Sequence, residues 1–145
     1  MKYHDYLKTF SQDEYCPFCD FTKEEIIDES KYFIITASRA PYSPDHLLII
    51  SKRHVVFLKE LKKAELKELR SLTEERNKKL HQHHKSTSIL MRDTLSNQGT
   101  GKSINHLHFH IVPDRYIGII RDGERDFFSD EENRKEIKRM KRLYK

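Results

Sequence analysis

The run His106-Leu107-His108-Phe109-His110 constrains this chain more than any other stretch. In a strand, successive side chains alternate between faces, so the three imidazoles share one face at intervals of about 6.6 Å. Leu107, Phe109 and Ile111 then form the opposite, apolar face. Histidine is not a strong strand former, and a merely solvated polar face is a poor account of three in alternation. A neutral imidazole can attack phosphorus when one ring nitrogen is held as N–H and the other is free, and a backbone carbonyl can fix that tautomer. The preceding loop, from Asn97 through Gly99, Gly101 and Lys102 to Ser103, offers backbone amides, an ammonium and a hydroxyl for phosphate oxygens. Gly101-Lys102-Ser103 does not make a P-loop, because position 96 is Ser rather than Gly and a strand follows instead of a helix.

Cys16-Pro17-Phe18-Cys19 has the spacing of one edge of a tetrahedral zinc site, and a pair supplies only half the ligands. His54, at the end of a strand, and His106 are the candidates for the rest. A glutaredoxin-type redox pair would follow an apolar strand, whereas Ser11-Gln12-Asp13-Glu14-Tyr15 precedes this one. A structural zinc tying the N-terminal segment to the sheet is the expectation.

Elsewhere the pattern alternates between strand and helix signals. Ile26-Ile27 and Tyr32-Phe33-Ile34-Ile35 flank the turn Asp28-Glu29-Ser30-Lys31, which predicts a hairpin, and His46 to Ile50 is a run of strand length. Leu58, Leu61, Leu66, Leu69, Leu72 and Leu80 predict a long amphipathic helix from Leu58 to about His84. Ser88 to Met91 resumes strand character, and Ser129-Asp130-Glu131-Glu132 predicts a capping box opening a basic helix with Ile137, Met140 and Tyr144 on one side. This order predicts an α+β fold with an antiparallel sheet, one long helix and a C-terminal helix. A single domain over 1–145 is expected, with 1–15 as an N-terminal extension and 115–145 as a tail carrying the basic helix. With 145 residues, 36% of them hydrophobic, the chain can bury a sizeable core. Its formal charge of +5 favours anionic partners without demanding nucleic acid. No stretch reads as a secretory signal or a membrane span, which predicts a cytoplasmic protein with no membrane partner. His81, His83 and His84 are expected to answer the helix dipole rather than bind a second metal, and Tyr6, Phe10 and Phe18 to pack in the core or at an edge rather than form a stacking platform.

Together these residues resemble the histidine triad superfamily, over about residues 16 to 114. Cys16 to Cys19 is similar to the cysteine pair of its zinc-bearing branch, Pro41 to His54 to its central signature, and Asn97 to Pro113 to its catalytic signature. The resemblance implies a HIT-like fold, commonly a homodimer, and a nucleotide hydrolase or nucleotidyltransferase acting on a purine nucleotide through a covalent nucleotidyl-histidine. It implies His108 as nucleophile, His110 at the α-phosphate and leaving group, and Asn97 and Ser103 at phosphate, beside Gly101 and Lys102 that the loop itself offers, with Ser38 near the position that meets the ribose. His46 would support the triad and the substrate from the neighbouring strand, and Cys16, Cys19, His54 and His106 would hold zinc. Dinucleoside polyphosphates and nucleoside phosphoramidates are the substrate types it implies. Phosphate as acceptor, removal of an adenylyl group from a nucleic-acid 5′ end, and a non-catalytic zinc-stabilised module are the alternatives. Lys102 stands where many members have Gln, Asp45 replaces a usual Gly and Asp114 a frequent Arg.

Overall fold

The computed structural model describes residues 1–117 and 125–145. Five antiparallel strands, β1 (Asp28–Glu29), β2 (Phe33–Ala37), β3 (Leu47–Ser51), β4 (Thr87–Leu90) and β5 (His108–Pro113), form one sheet in the order β1-β2-β3-β5-β4. Among the described residues three α-helices accompany it: α1 (Tyr3–Leu7), α2 (Lys63–Leu80) and α3 (Asp130–Tyr144). Among the described residues no helix is long and apolar enough to cross a membrane.

The α+β arrangement is the one the sequence predicts, with two shifts of boundary. Asp28 and Glu29, expected in a turn, pair with Ile35 and Ile34, because Ile27 N–H already reaches the Ile35 carbonyl at 2.8 Å and Ser30 closes the turn on Phe33. The α2 carboxylate Glu68 then accepts from Ser30 Oγ at 2.8 Å and from Tyr32 N–H at 2.7 Å. The long helix begins at Lys63 rather than Leu58. Glu60 captures the amides of Val56 and Phe57 at 2.9 and 2.8 Å, Asp93 captures that of Leu58, and Glu65 that of Lys62. Residues 58–60 are left as a separate 3-10 turn, and Leu66 stays exposed.

The two faces of the sheet have different work. Ile35, Ile49 and Phe109 lie in one row across β2, β3 and β5, and this face packs against Leu69 and Leu72 of α2 and Ile137, Met140 and Tyr144 of α3. The basic helix thus turns an apolar stripe inward, behind an N-cap in which Ser129 Oγ accepts from Glu132 N–H at 3.2 Å. Thr36, Leu48 and His110 form the matching row on the other face. Arg76 of α2, almost fully buried, spans to Asp28 of β1 at 2.5 Å and to the Tyr144 carbonyl at 2.6 Å, so it locks both helices to the sheet edge. Removing one partner of such a pair costs roughly 3–5 kcal/mol.

A second polar knot sits at Asp45, whose backbone is left-handed at φ 69. Glycine would adopt this conformation without strain, and the aspartate is held there by its side chain. Its carboxylate accepts from His84 Nε2 at 2.7 Å, from Tyr144 Oη at 2.5 Å and from Arg139. His84 Nδ1 donates to Asp114 at 2.9 Å, so both ring nitrogens are engaged by aspartates rather than by a helix end alone. Burial alone would lower the His84 pKa, but the hydrogen bonds to Asp45 and Asp114 outweigh it and the pKa is raised. A raised histidine pKa stabilises the fold fully below its unfolded value of about 6.5 and loses that contribution as pH rises through the folded value. In thermal unfolding, His84→Gln is therefore expected to cost roughly 1–3 kcal/mol at pH 5.5 and distinctly less at pH 9. An equal cost at both pH values would contradict this.

Candidate active site and metal centre

His108 and His110 stand two apart on β5, facing the side of the sheet opposite its apolar core face, with ring centroids 5.0 Å apart. The sequence pattern places His106 on the same strand face, but the strand starts only at His108. His106 N–H turns back to the Ile104 carbonyl at 2.9 Å, and Leu107 N–H bonds Val55 at 2.7 Å, which bends the chain ahead of the strand. The triad is thereby split between two tasks.

Hydrogen bonding settles the protons on the remaining two rings. A backbone carbonyl only accepts, so the 2.6 Å contact from His108 Nδ1 to the His106 carbonyl places a hydrogen on Nδ1. Burial pushes the His108 pKa down to about 4, the ring is neutral, and its Nε2 carries a lone pair. A backbone amide only donates, so Tyr42 N–H, 3.2 Å from His46 Nδ1, makes that nitrogen an acceptor. Burial also holds His46 and His110 far below the usual histidine range. The neutral His46 must then donate from Nε2 to His110 Nδ1 at 2.9 Å, which leaves the His110 proton on Nε2. The two rings present opposite groups, a lone pair from His108 and an N–H from His110.

Both rings open on a cleft of about 910 Å³, mouth included. Of the sequence-predicted residues, Ser38, Gly101, Lys102 and Ser103 line it with His108 and His110. Lys102 is nearly fully buried, with Nζ donating to the Val56 carbonyl at 3.0 Å, and burial lowers its pKa. Ser38 Oγ accepts from Ala40 N–H at 3.3 Å, and Gly101 has φ 83. Asn97 is exposed at φ 62 and lies outside the cleft lining, and His46 sits behind His110 rather than in the cleft. Phe18 meets His108 edge-on at 5.0 Å, and Tyr6 stacks on Phe127 at 3.9 Å, so two rings expected in the core or at an edge are walls of the cleft. Tyr3, Arg39, Arg92, Arg125 and Asn133 also line it and carry no motif. They arrive through pairings between distant segments, such as the bridge between Lys2 and Asp126, which have no local sequence signal.

Behind His106, the donor atoms of Cys16, Cys19, His54 and His106 all lie within 4.8 Å of one another. Cys19 Sγ is 3.1 Å from His54 Nδ1 and 3.4 Å from His106 Nδ1, Cys16 Sγ is 3.3 Å from His106 Nδ1, and the two Nδ1 atoms are 3.2 Å apart. Tetrahedral zinc with these ligands needs donor separations of about 3.3–3.8 Å, and the four separations of 3.1–3.4 Å come within about 0.2 Å of that range, so the ligand set and its convergence suit zinc. His106 Nε2–H donates to the Ser51 carbonyl at 2.7 Å, which fixes the tautomer whose Nδ1 can bind a metal.

A family model described as HIT domain matches residues 21–117. Among curated proteins, no sequence matches. Solved structures share the fold. A diadenosine triphosphate hydrolase from Plasmodium falciparum in complex with cyclomarin A has a TM-score of 0.71 at 20% identity, over 98% of this chain and 95% of that one. The NitFhit protein of C. elegans has a TM-score of 0.69 at 22% identity, over 96% of this chain and 35% of that one. A zinc-bound histidine triad family protein from Mycobacterium smegmatis has a TM-score of 0.58 at 21% identity, over 88% and 96%.

Elemental analysis of the purified protein is expected to find one zinc per chain. Cys16→Ser or His106→Ala should lose the metal and about 4 kcal/mol or more of stability. Full stability in the metal-free variants would refute a structural zinc.

Proposed function

The chain belongs to the HIT domain family, and from that premise we propose that it is a nucleotide hydrolase or nucleotidyltransferase working through a nucleotidyl-histidine. The observation that carries this reading is the pair of contacts, His108 Nδ1 to the His106 carbonyl and His46 Nε2 to His110 Nδ1, which sets a nucleophilic nitrogen and a hydrogen-bond donor side by side on one strand. The cleft also gathers cationic side chains, Arg39, Arg92, Lys102 and Arg125, suited to a phosphorylated substrate.

His108 Nε2 attacks the α-phosphorus, forming a P–N bond as the bond from phosphorus to the leaving oxygen breaks. His110 Nε2–H donates a hydrogen bond to that oxygen and stabilises the negative charge it acquires. The imidazole bonded to phosphorus keeps its Nδ1–H, and the His106 carbonyl accepting from it stabilises the positive charge the ring acquires. Water then attacks phosphorus, the P–N bond breaks to restore neutral His108 with its Nδ1–H, and the proton the water sheds passes to solvent. Amides of the Gly101–Ser103 segment, the Lys102 ammonium and the Ser103 hydroxyl hold the phosphate oxygens. Zinc bound to Cys16, Cys19, His54 and His106 would act structurally, fixing the backbone whose carbonyl orients His108. Dinucleoside polyphosphates and nucleoside phosphoramidates are the substrates this chemistry fits.

Rapid quenching with adenosine and guanosine substrates, followed by mass spectrometry, is expected to find the nucleotidyl group on His108. His108→Asn should fold with its metal and lose at least about 10³-fold in turnover. His110→Asn should lose about 10²–10⁴-fold, most with poor leaving groups. An adduct on another residue would overturn the mechanism.

A further inference from the structure

Residues 1–15 lie outside the matched stretch 21–117, yet two of their side chains end on the loop before β5. Gln12 grips that loop by its backbone. Its Nε2 donates to the Ser103 carbonyl at 2.7 Å, and its Oε1 accepts from Asn105 N–H at 2.6 Å. Asn105 in turn accepts from Ser96 N–H at 2.7 Å, which closes the loop on itself. The loop carries Asn97, Gly99 and Gly101 at positive φ, and a segment so rich in backbone freedom is costly to order from within. Its order therefore depends on bonds from outside.

Tyr3 makes the second contact, with its hydroxyl 2.7 Å from Ser103 Oγ. The phenol is the more acidic hydroxyl and so the better donor of the two; when it donates, Ser103 Oγ spends a lone pair on it and keeps its own hydrogen. Tyr3 cannot easily move away, because its N–H bonds the Arg125 carbonyl at 2.8 Å and its ring lies 5.0 Å from the Arg125 guanidinium. Both Tyr3 and Ser103 line the cleft.

We propose that Tyr3 and Gln12 are positioning residues for phosphate recognition: Gln12 holds the backbone of the loop, and Tyr3 turns the Ser103 hydroxyl so that its hydrogen is offered to a phosphate oxygen. This rests on the assignment of Ser103 to phosphate above. Tyr3→Phe keeps the ring and removes only the hydroxyl, so it separates positioning from packing.

Binding of AMP and of adenosine to the full chain, measured by calorimetry on the wild type, Tyr3→Phe, Gln12→Ala, Ser103→Ala and the Tyr3→Phe/Ser103→Ala double variant, tests it. Tyr3→Phe and Gln12→Ala are each expected to weaken AMP about fivefold and leave adenosine unchanged, and the double variant should bind AMP no more weakly than Ser103→Ala alone. Equal weakening of AMP and adenosine, unchanged AMP binding in Tyr3→Phe, or multiplied effects in the double variant would overturn the positioning role while leaving Ser103 at phosphate. An AMP affinity untouched by Ser103→Ala would remove the phosphate assignment itself, and the inference with it.

Discussion

The carbonyl of His106 accepts the Nδ1 proton of His108 at 2.6 Å, and the site depends on this one contact. A carbonyl has no proton to give, so the ring on the other side has no choice of tautomer. Burial removes the other freedom, since a desolvated imidazole resists taking a second proton. Direct hydrogen bonding and low polarity act in the same direction, and a lone pair is left facing the cleft. The mirror-image constraint, a backbone amide at Tyr42 that has no lone pair to offer, runs through His46 and places a proton on His110.

Each of these constraints is anchored by a separate part of the fold. On one side His106 is held by its own Nε2–H to Ser51, and it belongs to the Cys16–Cys19–His54 group, which joins the N-terminal segment to the sheet. On the other side His46 follows Asp45, whose carboxylate gathers Arg139 and Tyr144 from α3 and His84 from beyond α2. The Asp45 support arrives through α3, which packs with α2 on the core face of the sheet, whereas the cysteine–histidine group lies beside the cleft, with Phe18 between its cysteines against His108. A change at either support reaches the His108 and His110 rings through a few bonds.

The parts legible in the sequence are those with a local period or a fixed spacing. Alternation in the histidine run, the two-residue gap between the cysteines, and the capping box at Ser129 each express geometry within a few residues; the latter two appear where expected, and the alternation holds for His108 and His110. His106 departs from its strand because Val55, 52 positions away from Leu107 in the chain, competes for the backbone, and no local period records that. The late start of α2 has the same origin, with carboxylates at Glu60, Glu65 and Asp93 taking amides that a pattern of leucines assigns to the helix. Tyr3, Gln12, Arg125 and Phe127 were beyond sequence reasoning because they reach the site from the two ends of the chain. Asp45 is the intermediate case: its departure from glycine is visible in the sequence, and its compensation by three donors is visible only in the fold.

The central claim concerns two protons, and long-range ¹H–¹⁵N correlation of the histidine side chains measures them directly. At neutral pH the account predicts His108 protonated at Nδ1 with a bare Nε2, and His110 protonated at Nε2 with a bare Nδ1. A proton on His110 Nδ1, or an imidazolium at either position, would contradict it.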